Sequence, residues 1–221
     1  MAHLHETDTG FLPSVLPIFP LAGAILLPRA ELPLNIFEPR YLAMTRAALE
    51  SHRLIGMVQP AEERGDSPQP RIYPVGCAGR IAHHEATKDG RILMTLVGVQ
   101  RFRIAQELDV ITPFRQVRAD FDAFADDVLE PGAVAEDART LMVERLKRFL
   151  AVHNLQAAWD TIAAAPDDTL VSALCMICPF TPAERQALLE APTLAARLDA
   201  LSLLFEFASD PGGDAANPAR H

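Results

Sequence analysis

Apolar residues in the first half of the chain come in short runs separated by proline, glycine and charge. These runs predict strands over residues 16–21, 32–37, 54–59, 75–86, 92–99, 101–108 and 114–121. In Arg101-Phe102-Arg103-Ile104-Ala105 the alternation has period two, which puts Phe102 and Ile104 on one face. Asp89-Gly90 lies between two apolar runs and predicts a hairpin closed by a type I′ turn. Proline-rich stretches at 60–74 and at Pro113 punctuate the strands. A single helix is predicted in this half, over 39–51, with Pro39 suited to its first position.

Beyond residue 125 the period changes to three and four. Leu141, Met142, Leu146, Phe149 and Leu150 form a helical stripe. Asp167 or Asp168 is placed to cap a short apolar helix running to Ile177. Thr181-Pro182-Ala183-Glu184 carries a capping box with proline at the first helical position. Thr193 caps a last helix whose apolar face is Leu194, Leu198, Leu201, Phe205 and Ala208. The expected organisation is a β-rich part over 1–124, a helical bundle over 125–208 and a flexible tail over 209–221, without internal repeats. The fold class is α+β.

With 221 residues, 49% of them hydrophobic, the chain can bury a core without disulfides or metal. Acidic residues outnumber basic ones 29 to 20, a balance that disfavours nucleic acid unless a local basic patch overrides it. Three cysteines do not make a disulfide framework. The first ten residues have no Lys or Arg to begin a signal peptide, and Pro13, Pro17 and Pro20 interrupt the apolar segment that follows. No apolar run is long enough to cross a membrane. The expected location is the cytoplasm.

Most catalytic chemistry lacks its residues. The two lysines, Lys88 and Lys147, do not follow glycine, so there is no phosphate-binding Gly-x-x-x-x-Gly-Lys-Ser/Thr loop. Gly-x-Gly-x-x-Gly, His-Glu-x-x-His and Gly-x-Ser-x-Gly are absent. Cys175 and Cys178 have the spacing of a redox pair, but they end an apolar helix instead of starting one, and read as core thiols. His83 and His84 point to opposite faces of a strand. Only His83 and Glu85 share a face, which reads as solvated surface. No metal and no cofactor are expected.

The motifs of the β-rich part then fall into a known order. Leu16-Pro17-Ile18-Phe19-Pro20-Leu21 is followed by Leu27-Pro28 and by Leu32-Pro33-Leu34-Asn35-Ile36-Phe37-Glu38-Pro39-Arg40-Tyr41. Next come Tyr73-Pro74-Val75-Gly76-Cys77-Ala78-Gly79-Arg80-Ile81 and Gly98-Val99-Gln100-Arg101-Phe102-Arg103-Ile104. The helical half contributes Pro179-Phe180-Thr181-Pro182-Ala183-Glu184-Arg185-Gln186. Together these resemble the N-terminal substrate-binding domain of Lon proteases (peptidase S16 lon-like proteins), and most closely the stand-alone bacterial proteins of that kind. The resemblance covers about residues 16–208.

It implies a PUA-like twisted β pseudo-barrel followed by a helical bundle, engaged in polypeptide binding. The ATPase and Ser-Lys protease modules of full-length Lon are not in the sequence, so no enzyme activity and no catalytic residue are expected. The expected partners are unfolded or exposed apolar polypeptide segments, with a protease or chaperone beside them. Two other readings stay open: an RNA-binding PUA-like module, favoured if Arg80, Arg101 and Arg103 form one basic stripe, and a small-molecule enzyme with an unrecognised site. Candidate partner-binding residues are Phe37, Tyr41, Arg101 and Phe102. Phe37 and Tyr41 are either core or an exposed aromatic pair near the junction of the two parts. Glu38 and Arg40, with Arg101, are candidates for a salt-bridged corner holding the 39–51 helix.

Overall fold

The structure, a computed structural model, describes residues 12–61 and 70–209. Six strands carry the β-rich part: β1 (Val15–Pro20), β2 (Glu31–Ile36), β3 (Leu54–Val58), β4 (Val75–Ala86), β5 (Ile92–Glu107) and β6 (Gln116–Asp120). Helix α1 (Pro39–Leu49) follows β2. A 3-10 helix (Asp122–Val128) then leads to α2 (Glu136–Val152), α3 (Trp159–Ala164), α4 (Asp167–Ile177), α5 (Pro182–Glu190) and α6 (Leu194–Ala208). The α+β class stands, and the strands lie within one or two residues of the periodicity except at two places.

The first is β5. It is one strand of 16 residues where the pattern suggests two. Its partner β4 shifts register between Ala78 and Gly79 and again between Ile81 and His83. The first shift leaves Val99 without a cross-strand partner, so the parity of side chains reverses along β5. Met94 and Leu96 therefore lie on the same face as Arg101 and Arg103, and an apolar period cannot run through.

The second is the hairpin joining β4 to β5. Gly90 has φ of +84°, but Asp89 is not in the left-handed region. The Gly90 N–H donates to Thr87 O at 3.1 Å, and the Thr87 N–H to Arg91 O at 2.9 Å. This is a type I turn followed by a left-handed glycine, not the expected type I′ turn.

The length of β5 closes the barrel. One edge pairs with β4. The other pairs with β2 over its first half and with β6 over its last. β6 pairs with β1, β1 with β3 in parallel, and β3 with β4, so five strands form a ring. Leu16, Ile18, Leu54, Val58, Ala78, Phe102 and Val117 fill it. The Phe102 ring sits where a Cβ on Gly56 or Gly76 would fall, 2.8 and 2.9 Å from its Cζ.

A second and larger apolar cluster lies outside the ring. It joins Phe19, Tyr41, Met44, Met57, Cys77 and Leu96 to Met142, Leu146, Phe149, Cys175, Leu188, Leu201 and Phe205. Sheet and helices thus share one core. The capping box of α5 forms as the sequence predicts, with the Glu184 N–H donating to Thr181 Oγ and the Thr181 N–H to Glu184 Oε2 at 2.7 Å. Thr193 caps α6 through the Ala196 N–H at 3.1 Å. Asp167 and Asp168 sit inside the first turn of α4, and Pro166 takes the cap position. In α2 the buried stripe is Met142, Leu146 and Phe149, while Leu141 is exposed. Residues 1–10 and 210–221, read as leader-free start and tail, lie outside the described residues, as does 62–69 of the proline-rich stretch.

Candidate functional site

The chain turns a corner from β2 into α1. Ile36 ends β2 in the core, Glu38 caps α1 with extended backbone, and Pro39 occupies the first helical turn. In the same turn Tyr41 points inward. It is buried against Phe19 at 4.3 Å between ring centroids, and its hydroxyl reaches Pro20 O at 3.5 Å. Burial pushes the Tyr41 hydroxyl pKa up, against the opposing pull of Arg40. The Arg40 guanidinium lies 4.5 Å over the Tyr41 ring and pairs with Glu38 at 2.9 Å.

Phe37 points the other way, 62% exposed. The alternation of β2 puts it on the side of Asn35, which pairs with exposed Leu93 of β5. Phe37 and Tyr41 are therefore not an exposed pair: one is surface and the other core. Beside Phe37, β2 is the last strand of the sheet, hydrogen-bonded to β5 alone. Its other edge carries the proline Pro33, which has no N–H to offer.

Arg101 and Phe102 are not surface residues either. Phe102 has no exposed area, because it is the centre of the barrel filling. Arg101 is buried on the opposite face, toward the helices, and does not reach Glu38 or Arg40. It pairs with Asp127 and donates through Nη1 to Leu189 O at 2.9 Å and Ala191 O at 2.7 Å. It thus ties the end of α5 to the sheet. A second tie is Gln59, whose Nε2 donates to Gln186 Oε1 at 3.0 Å, while Gln186 Nε2 donates to Val75 O at 3.1 Å. Asp127, Gln59 and Gln186 carry no sequence signal. Asp127 sits in an acidic stretch that reads as solvated linker, and its partner is 26 residues away.

The basic stripe does not form. Arg80 lies opposite Leu54, on the barrel-interior side, whereas Arg101 lies opposite Cys77, on the helix side. Cys77, Cys175 and Cys178 are free and buried. Burial pushes the thiols of Cys175 and Cys178 up to about 12 and about 11, and that of Cys77 further. Among the described residues no group of three or more His, Cys, Asp or Glu is placed to hold a metal ion, and no helix is long and apolar enough to cross a membrane.

Known proteins share this fold. The crystal structure of a Lon N-terminal domain protein from Xanthomonas campestris superposes with a TM-score of 0.59 at 23% identity, over 86% of this chain and 97% of that one. The N-terminal domain of the Mycobacterium avium complex Lon protease superposes with a TM-score of 0.60 at 18% identity, over 87% of this chain and 98% of that one. The Lon protease of Dictyoglomus thermophilum is 25% identical over 167 residues, and that of Cytophaga hutchinsonii 27% over 114. The chain spans only 19% and 14% of the length of these two curated relatives. A family model described as the ATP-dependent protease La (LON) substrate-binding domain matches residues 15–205, nearly the whole described chain, and the chain belongs to that family.

Proposed function

We propose that the chain is a non-enzymatic polypeptide-binding module that engages exposed apolar segments of unfolded proteins. The observation that carries this reading is Phe37, 62% exposed on a corner that Tyr41 anchors in the core. A large ring held out on a fixed backbone offers contact area at little cost in conformational entropy. Leu93, exposed opposite Asn35 on the same face, extends that surface. Of the four candidate residues Phe37 makes the contact and Tyr41 anchors its corner in the core, while Arg101 and Phe102 hold the fold together away from it. The β-rich part to residue 124 supplies the surface. The helical part from 125 to 208 braces it through the shared core. The family match supports substrate binding and includes neither an ATPase nor a protease module.

The test is affinity for an unfolded substrate protein, with melting temperature followed in parallel. Phe37→Ala is expected to weaken binding and leave melting unchanged. Unchanged affinity in Phe37→Ala removes the site.

A further inference from the structure

Where the 3-10 helix and the loop after it cross the ends of α4 and α6, the sheet and helices leave a cavity of about 490 Å³. Its inner wall holds two cations to one carboxylate. Arg101 and Arg197 both line it, and both are buried. Asp127 is the one carboxylate between them, and Arg101 occupies both of its oxygens. Arg197 donates only to main-chain carbonyls, Nε to Leu188 O at 2.9 Å and Nη2 to Ala191 O at 3.3 Å. No carboxylate of the described residues pairs with it. Burial, and after it the neighbouring Arg101, lower its pKa, and Asp127, shared with Arg101, offsets this only in part. A buried charge without a partner is costly, and an anion in the cavity would offset that cost.

Two further groups face the same space. Ser172, on α4, is 7% exposed and lines the cavity, and its hydroxyl has no hydrogen-bond partner among the described residues. The first turn of α6 also lines it. Thr193 caps the Ala196 N–H, which leaves the N–H groups of Leu194 and Ala195 without an acceptor. The mouth has the opposite sign. Arg29 and Asp168 lie 3.9 Å apart and offset each other, while Asp126 and Glu130 are exposed.

We propose that this cavity binds the carboxylate of a basic amino acid, free or at a chain end. The carboxylate meets Arg197, Ser172 and the start of α6, and the cationic group lies toward Asp126 and Glu130. The site is separate from Phe37 and stands or falls without it.

Titration calorimetry on the whole chain tests the proposal with Nα-acetyl-L-lysine and its C-terminal carboxamide. The acid is expected to bind roughly tenfold or more tighter than the amide, the scale of a lost charge-assisted hydrogen bond. Ser172→Ala is expected to lose affinity for the acid while its melting temperature holds. L-lysine and L-alanyl-L-lysine then separate a free amino acid from a chain end: the tighter of the two names the source. Equal affinity for acid and amide, binding of neither, or full affinity in Ser172→Ala overturns the proposal. The acid–amide comparison needs no variant and does not depend on how Ser172→Ala folds.

Discussion

Asp127 grips Arg101 at three nitrogens. Its carboxylate accepts the Arg101 main-chain N–H at 2.9 Å, Nε at 2.8 Å and Nη2 at 2.7 Å, with both side chains less than a tenth exposed. Through Leu189 O and Ala191 O the same guanidinium holds the end of α5. The 3-10 helix, β5 and α5 therefore meet at one ion pair.

Removing one partner of that pair strands the other in the interior. Asp127→Ala is expected to destabilise the chain by about 3–5 kcal/mol, read as a lower urea midpoint. Replacing both residues by apolar ones of similar size is expected to cost less than the single change. Equal stability of Asp127→Ala and the parent would mean that water reaches the site.

The Phe-Glu-Pro-Arg-Tyr corner divides its aromatics between surface and core. Tyr41→Ala removes a ring packed on Phe19 and is expected to cost roughly 3–5 kcal/mol. Phe37→Ala removes an exposed ring and is expected to stay within about 0.5 kcal/mol. Thermal melts of the two variants separate the roles, and comparable losses would place Phe37 in the core as well.

The strand alternation and the caps at Thr181 and Thr193 were legible because each rests on neighbours a few residues apart. The fate of Arg101 was not. Whether a cation on a strand faces water depends on the bulge at Val99, which reverses the parity of β5, and on Asp127 arriving from another element. Phe102 and Tyr41 show the same limit. Sequence pattern marks an aromatic as worth burying, but closure of the ring and docking of α1 decide which ones are buried. The cavity was invisible for that reason too. Ser172 reads as one polar residue on an apolar helix until α6 and the 3-10 helix are placed around it.

Two glycines are required for different reasons, and substitution separates them. At Gly90 the φ of +84° is the obstacle, since a Cβ there would meet nothing within 4 Å. Gly90→Val is expected to cost about 1–2 kcal/mol from backbone strain alone. At Gly98 the obstacle is contact. The Gly98 N–H donates to Ala30 O at 2.9 Å, and a Cβ would sit 2.0 Å from Leu27 O. Gly98→Ala must push the 27–30 segment off β5 and is expected to lower the melting temperature more than Gly90→Val. The reverse order would refute the crossing.

The buried thiols set an alkaline limit to stability. In the unfolded chain a cysteine releases its proton near its ordinary pKa of 9.0, whereas burial holds Cys178 to about 11 and Cys175 to about 12. Burial raises the Tyr41 hydroxyl as well. A folded-state pKa above the unfolded value means that the native chain keeps protons the unfolded chain has lost. The stability gained from neutral thiols is therefore complete below about pH 9 and is lost as pH rises through about 11 for Cys178 and about 12 for Cys175. The melting temperature is expected to be flat with respect to these groups between pH 7 and 8 and to fall above pH 9. Replacing Cys175 and Cys178 together by Ala is expected to make that fall shallower. Native protein at pH 8 should label slowly with a thiol-reactive dye, because the reactive thiolate is scarce and the sulfurs are buried. Rapid labelling of either cysteine, or a decline above pH 9 that the double variant leaves unchanged, would remove the thiols from this account.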